Sequence, residues 1–244
     1  MSRRVLYAAA AIMGCAGLAL LLTVAYQLFG TNWLESRSQS DLRRQFDSQL
    51  SARGSDPPAS GGPGSASALS ASPSARPRRE GEVVAVLRIP RLGKGWEKAV
   101  VEGVALRDLQ KGPGHYPGTP FFGEAGNVGV AGHRTTWGAP FFHLDRLRRG
   151  DLVDVRTTTG SFIYRVLSSE LVLPFETSVL RPDPTARLTQ PANGSGHYLT
   201  LTTCTPVYSA SHRLVVHAEQ VPADDGPDPA RPAALGHGRG LQRQ

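Results

Sequence analysis

One stretch limits what this chain can build more than any other: Tyr198–Pro206, followed at once by Ser211–His217. Tyr198 to Thr203 alternates apolar and polar residues and is rich in β-branched and aromatic side chains, the pattern of a half-buried strand. Pro206 has no N–H to give to a ladder, so the strand ends near Cys204. Arg213 to Val221 alternates again and reads as a second strand. Paired antiparallel, the two set Cys204, at the end of one strand, opposite Arg213, at the start of the next. Taken alone, Cys204 reads as a small buried hydrophobe and Arg213 as a surface charge. The rest of the chain moves that balance.

The segments upstream have the same character. Val83–Ile89, closed by Pro90, Glu97–Val104 and Asn127–Ala131 read as strands. Asp151–Arg156 and Phe162–Leu173 read as a hairpin through Thr159-Gly160. Leu106–Lys111 reads as a helical turn, Gly112–Gly126 as a structured Gly/Pro loop and Phe141–Leu147 as a short helix stopped by Gly150. Short strands at regular spacing predict an all-β barrel or sandwich over residues 80–222.

The flanks differ. Val5–Phe29 carries no charge and is long enough to cross about 30 Å of hydrocarbon. It is too long for a signal-peptide core and has no clear cleavage site. The expectation is a single-pass anchor over residues 5–29, with Trp33 near the outer interface. Residues 1–4 form a cytoplasmic tail, and the domain lies outside the membrane. For residues 33–53 a polar helix striped by Leu42, Phe46 and Leu50 competes with a solvated stalk, and the stalk is the favoured expectation. Residues 54–79 read as a flexible Ser/Ala/Gly/Pro linker and 223–244 as a disordered tail.

The formal charge of +7 over 244 residues does not point to nucleic acid. Residues 80–222 carry 15 basic against 13 acidic side chains, so the basic excess lies near the apolar run and in the linker. Cys15 falls within the apolar run, which leaves Cys204 an unpaired thiol; in an extracellular domain such a thiol is a candidate nucleophile.

A base for Cys204 must come from seven histidines. His133 follows a buried-looking strand and a glycine, where a sharp turn can present a side chain at a strand end. His115 sits in the Gly/Pro loop and is placed to line a groove. His212 and His217 flank or lie on the last strand, where His217 shares a face with Arg213. Position alone puts His133 ahead and leaves the others open.

Val130-Ala131-Gly132-His133-Arg134, the Thr200-Leu201-Thr202-Thr203-Cys204 strand end and Arg213 nine residues on together resemble the sortases, membrane-anchored cysteine transpeptidases of Gram-positive bacteria. The resemblance covers about residues 85–221. Thr203-Cys204-Thr205-Pro206 and the loop His115-Tyr116-Pro117-Gly118 are most similar to the class E branch of actinobacteria. It implies a closed β-barrel of about eight strands with short helices, and a catalytic trio of His133, Cys204 and Arg213. It also implies cleavage of an LAXTG- or LPXTG-type sorting signal between Thr and Gly through a Cys204 thioester. Transfer to an amine of a peptidoglycan precursor would follow, with no cofactor.

The residue types suit that chemistry, since the thiolate is the nucleophile and an imidazolium can protonate a leaving amine. Tyr116 is the expected substrate-selecting residue, with packing on Pro117 and Pro120 as the alternative. Thr203 is a candidate for orienting the oxyanion, against a plain β-former. Asp145, Asp151 and Glu170 follow no calcium-loop spacing, and no metal is expected. Two rival readings stay open. An L,D-transpeptidase would show Ser-x-Gly-Cys-x-Arg, whereas Thr203-Cys204-Thr205 has no glycine there. A non-catalytic wall-binding module on the same scaffold would not require the trio.

Overall fold

The computed structural model describes residues 3–26, 30–54, 78–186 and 196–222. Most of the expected linker, the expected C-terminal tail and residues 27–29 of the expected anchor lie outside them. Two N-terminal helices, α1 (Arg3–Ala25) and α2 (Thr31–Gly54), precede eight strands. These are β1 (Val83–Arg88), β2 (Glu97–Glu102), β3 (Gly114–His115), β4 (Gly126–Ala131), β5 (Leu152–Thr157), β6 (Ser161–Val172), β7 (His197–Thr205) and β8 (His212–Val221). One helical turn, α3 (Leu106–Leu109), follows β2, and 3-10 turns form at Leu144–Arg146 and Thr177–Leu180.

The strands close into a barrel in the order β1-β2-β3-β4-β7-β8-β6-β5, which settles the choice between barrel and sandwich. Closure leaves no free sheet edge to recruit another chain. Most neighbours are antiparallel, but β2 with β3 and β4 with β7 run parallel. The parallel pairing explains why β4 is buried throughout. Period-two alternation fills the barrel: Val128 and Val130 of β4, Leu199 and Leu201 of β7, and Leu214 and Val216 of β8 all belong to the interior cluster. Thr200, Thr202 and Cys204, like Arg213, Val215 and His217, therefore project from the outer face.

Residues 31–54 correct the stalk expectation. They form a helix whose Leu42–Phe46 stripe buries against Val83, Val86, Ala99 and Val101 on the outside of β1 and β2, with Leu50 at its edge. Phe46 is wholly buried. Gln39 completes the dock in a strand's manner. β3 reaches only Val101 and Glu102 of β2, and the Gln39 amide accepts from Ala99 N (2.8 Å) and donates to the oxygens of Ala99 (3.0 Å) and Lys111 (2.8 Å). It thereby satisfies backbone groups the short strand leaves unpaired. Among the described residues, no helix is long and apolar enough to cross a membrane.

Candidate active site

β7 and β8 are paired antiparallel with Cys204 opposite Arg213 and Thr205 opposite His212, the register read from the sequence. β4 lies on the other side of β7, parallel to it, with Ala131 opposite Thr202. Gly132 N then donates to Thr202 O (3.0 Å), and Thr203 Oγ1 donates to Gly132 O (2.7 Å). These bonds carry the pairing one residue past β4, so His133 leaves the sheet level with Cys204. The trio thus occupies three adjacent strands at one rim of the barrel. Cys204, His133 and Arg213 are each half-buried. Arg213 Nη1 donates to the carbonyls of Ala210 (3.0 Å) and His212 (3.1 Å) in its own loop, which braces the guanidinium at the rim.

Burial holds the His133 imidazole below its usual pKa, because the low-dielectric surroundings disfavour the cation. Its Nε2 has no hydrogen-bond partner among the described residues. Two other histidines differ on this point. His115 is buried, with Nδ1 at Glu102 Oε2 (2.9 Å) and Nε2 at Pro120 O (3.0 Å). It ties the Gly/Pro loop to β2 and does not line a groove. His217 is buried between Thr200 Oγ1 (2.9 Å) and Glu170 Oε1 (2.9 Å). His212 is exposed beside Ser211.

Below the rim, the outer face of β4, β7 and β8 is buried under loop segments. Thr200 Oγ1 donates to Asn127 Oδ1 (2.8 Å). Asn127 Nδ2 in turn donates to the oxygens of Val179 (3.1 Å) and Arg181 (2.9 Å). This chain pins the Thr177–Leu180 turn over the lower end of that face. Tyr116 lies over the middle, its hydroxyl 2.9 Å from Thr202 Oγ1. Gly129 beneath has to be glycine: a Cβ there would come within 2.7 Å of the Tyr116 ring and 2.8 Å of Leu180.

Tyr116 therefore reaches β7, the strand that carries Cys204, where its partner is Thr202. Thr203 faces the other way: it is buried and its hydroxyl is committed to Gly132 O. Through its side chain Thr203 holds the end of β4, and with it His133, rather than an oxyanion. The sequence carried the signal for Thr202, since period two puts residues 202 and 204 on one face.

The loop leaving His133 is strained. Trp137, Gly138 and Ala139 adopt successive positive φ values of 52°, 71° and 42°. For the two residues with a Cβ this costs on the order of 1–3 kcal/mol each, and the conformation persists only where neighbours enforce it. Phe141 closes the loop, its N–H donating to His133 O (3.1 Å) and its ring packed where Gly132 has no side chain. Trp96 stacks on Phe141 and donates Nε1 to Pro140 O (3.2 Å). Arg134, next to the histidine, is buried and pairs with Asp145 at 3.2 Å. The three carboxylates weighed for calcium have separate partners: Asp145 has Arg134, Asp151 has Arg91 and Glu170 has His217. No group of three or more His, Cys, Asp or Glu among the described residues could hold a metal.

Comparison with known proteins identifies the family. Residues 87–221 match the family model of the sortase domain. The chain is 32% identical over 213 residues to sortase SrtE1 of Streptomyces coelicolor, covering 84% of this chain and 54% of SrtE1. It is 30% identical over 217 residues to SrtE2 of the same organism, covering 84% of this chain and 78% of SrtE2. The chain thus spans about half the length of the first relative and over three quarters of the second. Among solved structures, sortase E of Streptomyces avermitilis superposes with a TM-score of 0.53 at 41% identity, over 59% of this chain and 91% of that one. Sortase E1 of Streptomyces coelicolor, solved with a tripeptide in its active site, gives 0.53 at 34% identity, over 61% and 96%. With its eight-stranded barrel and with Cys204, Arg213 and His133 gathered at one rim, the chain belongs to the sortase family of cysteine transpeptidases.

Proposed function

We propose that this protein is a membrane-anchored sortase that cleaves an LAXTG- or LPXTG-type signal between Thr and Gly and passes the acyl group to an amine of a peptidoglycan precursor. The observation that carries the reading is the Cys204–Arg213 cross-strand pair flanked by the strand end that delivers His133. The Cys204 thiolate attacks the Thr carbonyl carbon, and the oxyanion that develops accepts hydrogen bonds from the Arg213 fork. The C–N bond breaks as the His133 imidazolium gives its proton to the glycine nitrogen, leaving a thioester on Cys204. The acceptor amine attacks that thioester, loses a proton to His133 and releases the thiolate.

Burial disfavours the charged form of the His133 imidazole, so the acid that protonates the leaving amine gives up its proton readily. The sorting signal approaches the rim over the outer face of β4, β7 and β8, with Tyr116 against the residue before the X position. The tripeptide in the active site of the Streptomyces coelicolor sortase E1 structure supports peptide binding at such a rim.

Membrane anchorage rests on the uncharged run Val5–Phe29, with the N-terminus in the cytoplasm and the barrel outside. Ile12, Met13, Leu18 and Leu21 of α1 are exposed and are suited to an apolar surrounding.

The test incubates the full chain with LAXTG and LPXTG peptides and an amine, and identifies products by mass. A peptide–amine product, and an acyl adduct that disappears in Cys204→Ala, are expected. An adduct that persists in the variant removes Cys204 from the role. Binding without cleavage converts the reading to a wall-binding module.

A further inference from the structure

Helix α2 reaches beyond its dock on β1 and β2. Its first turn touches the loop that leaves the catalytic histidine. Asn32 Oδ1 accepts a hydrogen bond from Gly138 N at 3.0 Å. Gly138 packs so tightly on Glu35 that a Cβ at that position would lie 2.3 Å from the carboxyl carbon. Glu35 is itself buried and is held by Lys98 Nζ of β2 at 2.6 Å. Gly138 is the middle of the three positive-φ residues. The loop's far end is fixed by Phe141 and Trp96, and its near end by Thr203 on Gly132. The middle contact is the one supplied from outside the barrel.

From this we propose that α2 is a working part of the active site. Asn32 and Glu35 are positioning residues that hold Trp137–Ala139 in their left-handed conformation and so fix where the His133 imidazole stands relative to Cys204. The proposal rests on the sortase reading above. A strained loop relaxes when its enforcing contact is removed, and a ring freed from its burial regains solvent. The His133 proton affinity then rises toward the ordinary imidazole range as the geometry for proton transfer loosens.

The experiment compares full-length wild type, Asn32→Ala and Asn32→Asp, the last keeping the Oδ acceptor. Acyl transfer is measured as kcat and KM across pH, and the His133 ring is titrated by NMR. Asn32→Ala is expected to lower kcat about tenfold to a hundredfold, the range that small misplacements of reacting groups produce, with KM for the peptide nearly unchanged. Its acid limb and its His133 titration should both move to higher pH, and Asn32→Asp should restore all three. Unchanged kcat and titration in Asn32→Ala overturn the proposal. So does a loss of thermal stability with the pH profile unmoved, which marks a purely structural contact. If wild type forms no acyl-enzyme, the sortase reading fails, and the His133 titration alone then decides whether the latch exists: a shift in Asn32→Ala supports it and no shift refutes it.

Discussion

Two stretches of the barrel's outer wall are built from the same kind of alternating strand and finished in opposite ways. Over β1 and β2, α2 lays Leu42 and Phe46 on Val83, Val86, Ala99 and Val101 and seals the surface. Over β4, β7 and β8, most residues facing out are small or polar: Gly129, Ala131, Thr200, Thr202 and Cys204, with Val215 the apolar exception. Tyr116 and the Thr177–Leu180 turn lie over them, and of these residues Cys204 alone is half-buried rather than buried. The first wall is closed by apolar contact; the second is closed by hydrogen bonds, Thr200 to Asn127 and Thr202 to Tyr116, and opens only at its rim. What a strand's outward residues are decides whether its face becomes core or site.

The contrast is open to direct challenge. The largest expected effect is on the sealed wall. Phe46→Ala should cost about 3–5 kcal/mol, as buried Phe-to-Ala truncations do, read from the urea midpoint, with the ratio of LAXTG to LPXTG cleavage unchanged. A change in that ratio would mean the two walls are not separable. On the open wall, Tyr116→Phe removes one hydroxyl contact with Thr202. It should cost about 0.5–1.5 kcal/mol of stability, read from the same midpoint, and should shift the LAXTG to LPXTG ratio, which Phe46→Ala leaves alone. If both peptides respond alike, Tyr116 only packs.

The smallest effect belongs to the rim. The native His133 ring holds its proton less firmly than the unfolded chain, where the imidazole pKa is about 6.5. Between these values the unfolded state binds more protons. Stability should therefore rise with pH through that window and fall as the solution is acidified below about 6.5. Substituting His133 by Ala should flatten this slope; a slope that survives belongs to another group.

Most of the open wall was legible in the sequence. Alternation places Thr200, Thr202 and Cys204 on one face, Pro206 ends the strand, and the Cys204–Arg213 register follows from where one strand ends and the next begins. The sealed wall was not. Gln39 and Glu35, polar residues that look made for water, are buried because one completes a backbone ladder and the other meets Lys98. Periodicity reads side-chain polarity, and it has no view of a partner 60 or so residues away. The assignment of His115 failed in the same way, since its Glu102 partner arrives by a parallel strand pair only two residues long. Thr203 and Thr202 differ by a single step along one strand; period two puts Thr202 on the face of Cys204, and the interior position of Leu199 and Leu201 shows that this face is the outer one.

Because α2 is fastened to the barrel at both Asn32 and Phe46, the long Ser/Gly/Pro segment after it begins and ends on the same body. On the proposed membrane reading, the distance between bilayer and enzyme is bounded by the five residues between Ala25 and Thr31, at most roughly 20 Å of chain at about 3.5 Å per residue. The end of α2 nearest the bilayer is the one that touches the histidine loop. On that reading the rim carrying Cys204 would stand close over the lipid headgroups.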